Sequence, residues 1–250
     1  WPAFHRYRHH RSIHPLVEAA RWTRGGWRKL HRGWVERHML DYLTSPERSK
    51  QWFLLPLQVH NDAQVHHHWR HDSVESLIDD VVASFARHAL PEHELVIKHH
   101  PMDRAYKSYA RHIDARIRKH RLQGRVHYVH DQHLPTLLKH ALGVVTLNST
   151  VGLQALHHGA PVLALGECVY AVRGLVSSRP LDAFWQGPGE VDQDLYKRFR
   201  AHLVHRTQVN ASFYGEAPAF RVPATQRPAR SAEPPARSTP QPLERPPAQP

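Results

Sequence analysis

The chain has 250 residues, a formal net charge of +12 and 40% apolar residues, so it is long enough for one large domain with its own core. Its single cysteine, Cys168, excludes an internal disulfide, and no apolar run reaches the roughly 20 residues that a membrane-spanning helix needs. These features predict a soluble protein of a reducing compartment, the cytoplasm. The basic excess favours an anionic partner, which could be nucleic acid, a membrane surface or a small substrate.

Residues 1–50 are rich in Arg, His and Trp and show no alternation of strands and helices. Because the chain begins with Trp1 rather than Met, we expect a fragment. We interpret this zone as a basic leader or as the remnant of a truncated N-terminal domain. Trp22, Trp27 and Trp34, among basic residues, could place a helix on an anionic membrane face. The favoured alternative is a helix that links two domains and packs its aromatic side chains inside.

Residues 51–215 alternate short apolar runs with amphipathic stretches. Strands are predicted at residues 53–57, 95–97, 126–129, 143–147 and 161–165. Helices are predicted at residues 73–88, 103–120, 134–141 and 150–158, the first with Ser73 as its N-cap. Strands that are apolar throughout and separated by helices favour a parallel sheet covered on both faces. The pattern therefore predicts an α/β domain with a Rossmann-like parallel sheet and helices on both faces.

The last zone, residues 216–250, is rich in Pro, Ala, Arg and Gln and has almost no large apolar side chains. A segment of this composition cannot bury enough apolar surface to offset the entropy of ordering it. We therefore predict a disordered, Pro-rich tail.

Doubly wound sheets bind their ligands beyond the carboxyl ends of the strands, so the residues after each predicted strand are candidate site residues. Gln58 and Asp62 follow the first strand. Asp62 is a candidate general base, although an Asp in a loop is often a turn residue. Lys98, His99, His100 and Pro101 follow the second strand, and the cationic or donor-rich side chains of Lys98, His99 and His100 suit a phosphate. Solvated basic residues in an ordinary loop are the alternative for this turn.

The residues after the third and fourth strands add weaker signals. Asp131 is either the cap of the next helix or a ligand. Asn148, Ser149, Thr150 and Gly152 place hydroxyl groups and a small residue at a helix start. This arrangement suits an anion, and Gly152 would let a ligand approach closely. An ordinary Ser N-cap is the alternative.

Glu167, after the fifth strand, could accept hydrogen bonds from a ribose or a base edge. Cys168 beside it is interpreted as a small buried apolar side chain rather than a nucleophile. Neither GxxxxGKS/T nor GxGxxG occurs, which excludes a Walker loop and the dinucleotide fingerprint. His66, His67 and His68 have no second Cys/His cluster at zinc spacing, so no metal site is predicted. No RRM, KH, zinc-finger or helix-turn-helix signature supports nucleic-acid binding.

Five stretches of the chain carry a family resemblance by their order and spacing. They are PLQVHNDAQ (56–64), VIKHHPMD (96–103), RVHYVHDQHLPTLLKHA (125–141), VVTLNSTVGLQALHHGAPVLALGECVY (144–170) and RTQVNASFYG (206–215). Together they resemble the bacterial capsule polysaccharide biosynthesis and export family, whose members include β-Kdo transferases (Kdo is 3-deoxy-D-manno-octulosonic acid). The resemblance runs from about residue 51 to residue 215.

The resemblance implies the C-terminal, nucleotide-sugar-binding half of a GT-B glycosyltransferase. The implied reaction is an inverting transfer of Kdo from CMP-Kdo to a phosphatidylglycerol-type lipid or a Kdo acceptor, which starts the linker of an exported capsule. No cofactor or metal is expected. The implied partners are the donor, the acceptor, the inner-membrane surface on its cytoplasmic face and the capsule export machinery. A non-catalytic export component with a degenerate transferase domain is the alternative.

Several candidate residues match the family's motifs. His100 and Pro101 match its HP motif, which contacts the phosphate of CMP. Ser149 and Thr150 match its small-residue phosphate loop, and Glu167 falls where nucleotide-binding acids occur.

Asp62 lies in the Q-x-x-x-D stretch that begins at Gln58 and is the expected general base for the acceptor hydroxyl. Lys98, with His100 and the helix start at Ser149, would stabilise the departing CMP. The chain departs from the family in two places. Only residues 1–50 precede the matching stretch, where a second Rossmann-like domain is expected, and Ala211 replaces an expected Gly.

Overall fold

The computed structural model describes residues 15–60 and 73–207. The chain divides into two compact units, Trp1–Leu203 and Val204–Pro250. Of the second unit only residues 204–207 are described, as the last turn of a helix. The tail predicted at residues 216–250 lies outside the described residues and stays a prediction.

In the described residues, two helices precede a five-stranded sheet whose strands alternate with helices. The helices are α1 (Pro15–Val35), α2 (Met39–Thr44), α3 (Val74–His88), α4 (Ala110–His120), α5 (Leu134–His140), α6 (Val151–His157), α7 (Leu181–Phe184) and α8 (Gln193–Thr207). The strands are β1 (Trp52–Pro56), β2 (Glu94–Lys98), β3 (Val126–Val129), β4 (Gly143–Thr146) and β5 (Val162–Ala164).

The strands of the sheet have the order β3-β2-β1-β4-β5, and all of their pairings are parallel. Phe53 in β1, for example, lies opposite Leu95 of β2 on one side and Gly143 of β4 on the other. The strands β2 and β3 therefore lie on one side of β1, and β4 and β5 lie on the other side. The reversal lies between β1 and β4, which is where doubly wound sheets bind ligands.

Both faces of the sheet are covered, because alternate residues of a strand point to opposite faces. Phe53 and Leu55 of β1 pack in one core with side chains from α3, α4 and α7. Trp52 and Leu54 pack in the other core with side chains from α2, α5, α6 and α8. All four side chains are fully buried. The predicted α/β fold, a parallel sheet with helices on both faces, is confirmed.

The predicted boundaries agree with the structure within one residue at every strand and at three of the four predicted helices. The predicted cap of α3 is confirmed, since Ser73 Oγ accepts a hydrogen bond from Ser76 N at 3.1 Å. At the end of α6, Gly159 has a φ of 75°, a left-handed conformation that glycine adopts without strain.

The helix predicted at residues 103–120 is the exception, because α4 begins only at Ala110. Residues Pro101–Asp103 form a short 3-10 turn instead. The Asp103 side chain is fully buried and binds His60 in the loop after β1. The contact between Asp103 and His60 holds the 3-10 turn next to the loop that follows β1. Residues 104–109 then connect this turn to α4.

Helix α1 packs on the domain through its basic face. Arg24 donates a hydrogen bond to the carbonyl oxygen of Ala105, and Arg28 Nη1 donates to that of Arg104 at 2.8 Å. Gly25 lies between the two arginines. A Cβ at this position would lie 3.3 Å from Ala105 Cβ, so the glycine lets the helix approach the loop closely.

The tryptophans of α1 are largely exposed. Trp22, Trp27 and Trp34 are 79%, 64% and 68% exposed. The interpretation that these aromatic side chains pack inside is therefore wrong within the described part of the chain. None of the described helices is both long and apolar enough to cross a lipid bilayer.

The substitution Gly143→Ala is expected to destabilise the domain. A Cβ at residue 143 would lie 2.9 Å from Phe184 Cζ and 3.1 Å from Phe53 Cδ1. Because both rings are fully buried, one of them must shift, and overpacking of this kind costs about 1–3 kcal/mol. Urea unfolding followed by circular dichroism measures this change in the free energy of unfolding.

Gly26→Ala in α1 is the control, because no atom apart from the neighbouring residues and backbone of its own helix lies within 4 Å of the new Cβ. Alanine favours a helix over glycine by up to about 1 kcal/mol, so this variant should be as stable as the wild type or more stable. Equal losses of stability in the two variants would contradict the packing described for Gly143.

Candidate functional site

Two predicted site residues form a hydrogen bond between the loop after β1 and the loop after β4, the two strands between which the strand order reverses. Gln58, after β1, donates from Nε2 to Asn148 Oδ1, after β4, at 2.9 Å. Gln58 is buried, and Asn148 is half-buried. The sequence indicated both residues as candidates, but only the fold shows that they contact each other.

A cavity of about 360 Å³ lies beyond the ends of β1, β2 and β3, and we call it the edge cavity. Its wall combines the apolar residues Pro56, Leu57, Pro101, Leu134 and Val151 with the polar residues Lys98, His99, His100, Asp131, Gln132 and His133. Three predicted site residues, Lys98, His100 and Pro101, therefore share one cavity. The other described candidates do not line it: Gln58, Asn148, Ser149, Thr150, Gly152 and Glu167.

Lys98 is a buried cation rather than a solvated one. Its Nζ donates to the carbonyl oxygen of His130 at 2.8 Å, and its side chain is almost inaccessible. Burial lowers the pKa of the Lys98 ammonium, because a charge is less stable away from water. A buried ammonium interacts with an anion more strongly than a solvated one does.

His100 is fixed by the turn that follows it. Its Nδ1 accepts a hydrogen bond from Met102 N at 3.2 Å and so caps the 3-10 turn. When the ring is neutral, its proton must then be on Nε2. His100 is therefore held in the form that donates a hydrogen bond to an anion.

The start of α6 differs from the predicted anion site. The N-cap residue is Thr150, whose side chain makes no capping hydrogen bond, so the predicted Ser N-cap does not form. Ser149 Oγ instead accepts from Val151 N, two residues further on, at 3.2 Å. A Cβ at Gly152 would lie 2.6 Å from Tyr170 Cε2. The space beside Gly152 is thus filled by the Tyr170 ring and does not admit a ligand, which corrects the prediction. The Glu167 side chain, after β5, is exposed.

Asp131 does not cap the helix that follows it. Helix α5 begins after His133, and Asp131 instead pairs with Arg104, whose Nε donates to Asp131 Oδ2 at 3.0 Å. This ion pair joins the loops after β2 and β3 at the rim of the edge cavity.

Two buried carboxylates that sequence reasoning missed hold the loops at this edge. Asp103 accepts from His60 N at 2.8 Å and from His60 Nδ1 at 2.6 Å. Glu36 accepts from His130 N at 2.8 Å and from His130 Nδ1 at 2.7 Å. The position of Asp103 just after the HP pair could have indicated its role. Nothing in the sequence near Glu36, between α1 and α2, points to such a contact.

His99, which the sequence grouped with Lys98 and His100 as a cationic or donor side chain for a phosphate, is instead buried and uncharged. It is 2% exposed, and its Nδ1 is hydrogen-bonded to the Tyr128 hydroxyl at 2.6 Å. Burial, together with the nearby His130, His100 and Lys98, lowers the pKa of His99 to about 3. The ring is therefore neutral at physiological pH.

Asp62, the predicted general base, lies outside the described residues, as do His66, His67 and His68. Within residues 15–60 and 73–207, no three His, Cys, Asp or Glu side chains are grouped so that they could hold a metal ion. Cys168 is half-buried, and burial raises the pKa of its thiol.

A parallel sheet with this reversal, helices on both faces and a polar cavity at its carboxyl edge defines a doubly wound α/β protein. The family follows from comparison with known proteins. Residues 2–214 match the family described as "Capsule polysaccharide biosynthesis protein", and the chain belongs to this family.

Two kinds of relative illustrate the family. The chain is 42% identical over 211 residues to the "Capsule polysaccharide export protein KpsS" of Escherichia coli, covering 84% of this chain and 54% of that protein. It is 38% identical over 211 residues to the "Capsule polysaccharide modification protein LipB" of Neisseria meningitidis, covering 84% and 50%. The chain thus spans about half the length of these curated relatives.

Among solved structures, the chain is similar to "Thermosulfurimonas dismutans KpsC, beta Kdo 2,7 transferase", at 18% identity and a TM-score of 0.39. The match covers 75% of this chain and 67% of the other. A TM-score this low does not establish a shared topology, so the match does not bear on the chemistry of this chain.

The substitution Glu36→Ala is expected to lower the free energy of unfolding by about 3 kcal/mol or more, because it leaves two buried donors of His130 without their acceptor. Urea unfolding measures the loss. Glu47→Ala is the matched control, since Glu47 is exposed and its removal should change stability by less than about 0.5 kcal/mol. Similar losses in both variants would show that the Glu36–His130 contact does not hold the loop.

Acid is expected to destabilise the domain through His99. The pKa of His99 is about 3 in the folded chain, against an ordinary value of 6.5, so between these values the unfolded chain binds the extra proton. The free energy of unfolding therefore falls by at most about 1.4 kcal/mol for each pH unit below 6.5 from this residue.

His99→Gln removes this titration, so its free energy of unfolding should fall less than that of the wild type between about pH 7 and about pH 4. Urea unfolding at several pH values tests the difference. The exposed His202→Gln is the control and should follow the wild-type curve. A His99→Gln curve parallel to the wild type would show that His99 is not buried in its neutral form.

Proposed function

We propose that the chain is the donor-binding part of a capsule polysaccharide glycosyltransferase that takes Kdo from CMP-Kdo and transfers it to a lipid or Kdo acceptor. The observation that carries this proposal is the edge cavity, in which Lys98 and His100 lie together at the carboxyl edge of a parallel sheet. This edge is where such sheets bind nucleotides.

The chemistry of the cavity supports a nucleoside monophosphate as the departing group. Negative charge grows on the CMP phosphate as its bond to the sugar breaks. The buried ammonium of Lys98 and the fixed ring of His100 are suited to stabilise that charge without a metal ion. The apolar side chains of Leu57, Leu134 and Val151 could pack against the flat faces of a base.

The names of the relatives support a role in producing capsule polysaccharide, through the words "export" and "modification". The chain spans about half of these proteins, so transfer activity is proposed for the whole protein rather than for this part. Asp62 as general base, Glu167 as a contact to the nucleoside and Gln58 and Asn148 as donor contacts remain part of the proposal. The acceptor, the cytoplasmic face of the inner membrane and the export machinery are its proposed partners.

Titration calorimetry of the chain with CMP tests the donor site. His100→Ala is expected to weaken CMP binding about tenfold, because one hydrogen bond to a charged phosphate is lost. Binding of cytidine, which lacks the phosphate, should not change in this variant. His202→Ala is the control, since His202 is exposed on α8.

The result separates a phosphate contact from a general effect on the fold. A His100→Ala variant that binds CMP as the wild type does would refute the assignment of His100. A wild-type chain that binds neither CMP nor cytidine would favour a non-catalytic role in capsule export.

A further inference from the structure

A second cavity shares the lining residue His99 with the edge cavity. Its volume is about 240 Å³, and we call it the basic cavity. Helix α1 contributes Trp27, Arg28 and Arg32 to its wall, and the loop after β2 contributes Arg104 and Lys107. His99 lines both cavities, so the two are neighbours.

The basic cavity is lined by more positively charged side chains than there are carboxylates paired with them. Arg104 is paired with Asp131, and Lys107 Nζ lies 2.6 Å from Glu75 Oε1. Arg28, in contrast, donates to a backbone carbonyl oxygen, which carries no full charge.

Arg32 is a second arginine of this cavity without an ion-pair partner among the described residues. Among the residues that the structure describes, its guanidinium has no carboxylate partner within ion-pair distance. Two arginines of α1 therefore line the cavity without an ion-pair partner among the described residues.

The arginines of α1 also repel one another. Arg24, Arg28 and Arg32 are spaced four residues apart, so their side chains are neighbours on one stripe of the helix. Burial, and then the charges of Arg24 and Arg32, lower the pKa of the Arg28 guanidinium. An anion bound between these side chains would remove the repulsion.

The shape of the charged groups favours one class of anion. Guanidinium groups present a planar fork of N–H donors, which matches the oxygens of a phosphate. The cavity is larger than one phosphate, and Trp27, stacked on His31 with ring centroids 5.1 Å apart, forms an apolar wall beside the arginines. A phosphate ester, with its charged end on the arginines and its organic part against the indole, fits both features.

We propose that the basic cavity binds the phosphate group of a second phosphate ester, separate from the nucleotide in the edge cavity. Its assignment to the acceptor of the transfer rests on the proposed function. The site itself rests on the geometry of Arg28, Arg32 and Trp27. The phosphate could belong to a lipid headgroup or to a soluble ester, because the same groups recognise both.

Titration calorimetry of the whole 250-residue chain with sn-glycerol 3-phosphate tests the site. Arg32→Gln is expected to weaken binding about tenfold, because a charge-assisted contact is lost. Lys29→Gln changes the net charge equally on the same helix, but Lys29 is exposed and does not line the cavity. Its affinity should stay within about twofold of the wild type.

Arg32→Lys keeps the positive charge but removes the planar set of guanidinium N–H donors, so it should bind with an intermediate affinity. This variant keeps the test valid even if Arg32→Gln does not fold. Circular dichroism melting of each variant shows whether it is folded. Equal binding of glycerol phosphate by folded Arg32→Gln, Arg32→Lys and Lys29→Gln would overturn the proposal. Absence of binding by the wild type would overturn it as well.

Vesicles identify the source of the phosphate. If it belongs to a lipid headgroup, Arg32→Gln binds phosphatidylglycerol-containing vesicles more weakly than Lys29→Gln does, and glycerol 3-phosphate competes with the wild type. If it belongs to a soluble ester, the two variants bind vesicles equally and differ only with glycerol 3-phosphate. Either result supports the site, and vesicles of phosphatidylcholine alone are the control.

The test also separates this site from the donor site. Arg32→Gln should bind CMP as the wild type does, and His100→Ala should bind glycerol 3-phosphate as the wild type does. A wild-type chain without CMP binding would refute the proposed function, while glycerol phosphate binding that depends on Arg32 would leave the basic cavity assigned.

Discussion

Two buried carboxylates hold the carboxyl edge of the sheet together. Asp103 and Glu36 each accept hydrogen bonds from the backbone N–H and the Nδ1 of one histidine, His60 and His130. Ladder hydrogen bonds stop where the strands end, so the loops beyond them need other contacts. A buried carboxylate without donors is costly, and these pairs therefore favour one arrangement of the loops. The walls of both cavities depend on that arrangement.

The polar groups at this edge are preorganised before any ligand arrives. The carbonyl oxygen of His130 accepts the ammonium of Lys98, and the ring of His130 packs 5.0 Å from that of His99 and 4.6 Å from that of Tyr128. His99 lines both cavities and, because it is buried and neutral, adds charge to neither. The edge cavity contains the Lys98 ammonium and the His100 ring, whereas the basic cavity contains the arginines of α1.

Helix α1 connects the N-terminal segment to the site through its charges. It belongs to the same compact unit as the sheet, and its basic face contacts the loop after β2. Glu36 follows directly after α1 and reaches the end of β3. Amphipathic helices of soluble domains usually bury their apolar stripe, whereas here the tryptophans are exposed and Arg24 and Arg28 contact the loop after β2. This orientation puts cations where the basic cavity forms.

The sequence by itself determined the α/β class, the order of the strands and helices and the cap at Ser73, because apolar runs and capping residues are local signals. It also indicated Lys98 and His100, because polar residues after a buried strand must lie at the edge of the sheet. Only the tertiary structure decided that Tyr170 fills the space beside Gly152 and that Glu36 binds His130. Residues 36 and 130 are 94 positions apart, and such contacts follow from how helices pack on the sheet, which no local pattern encodes.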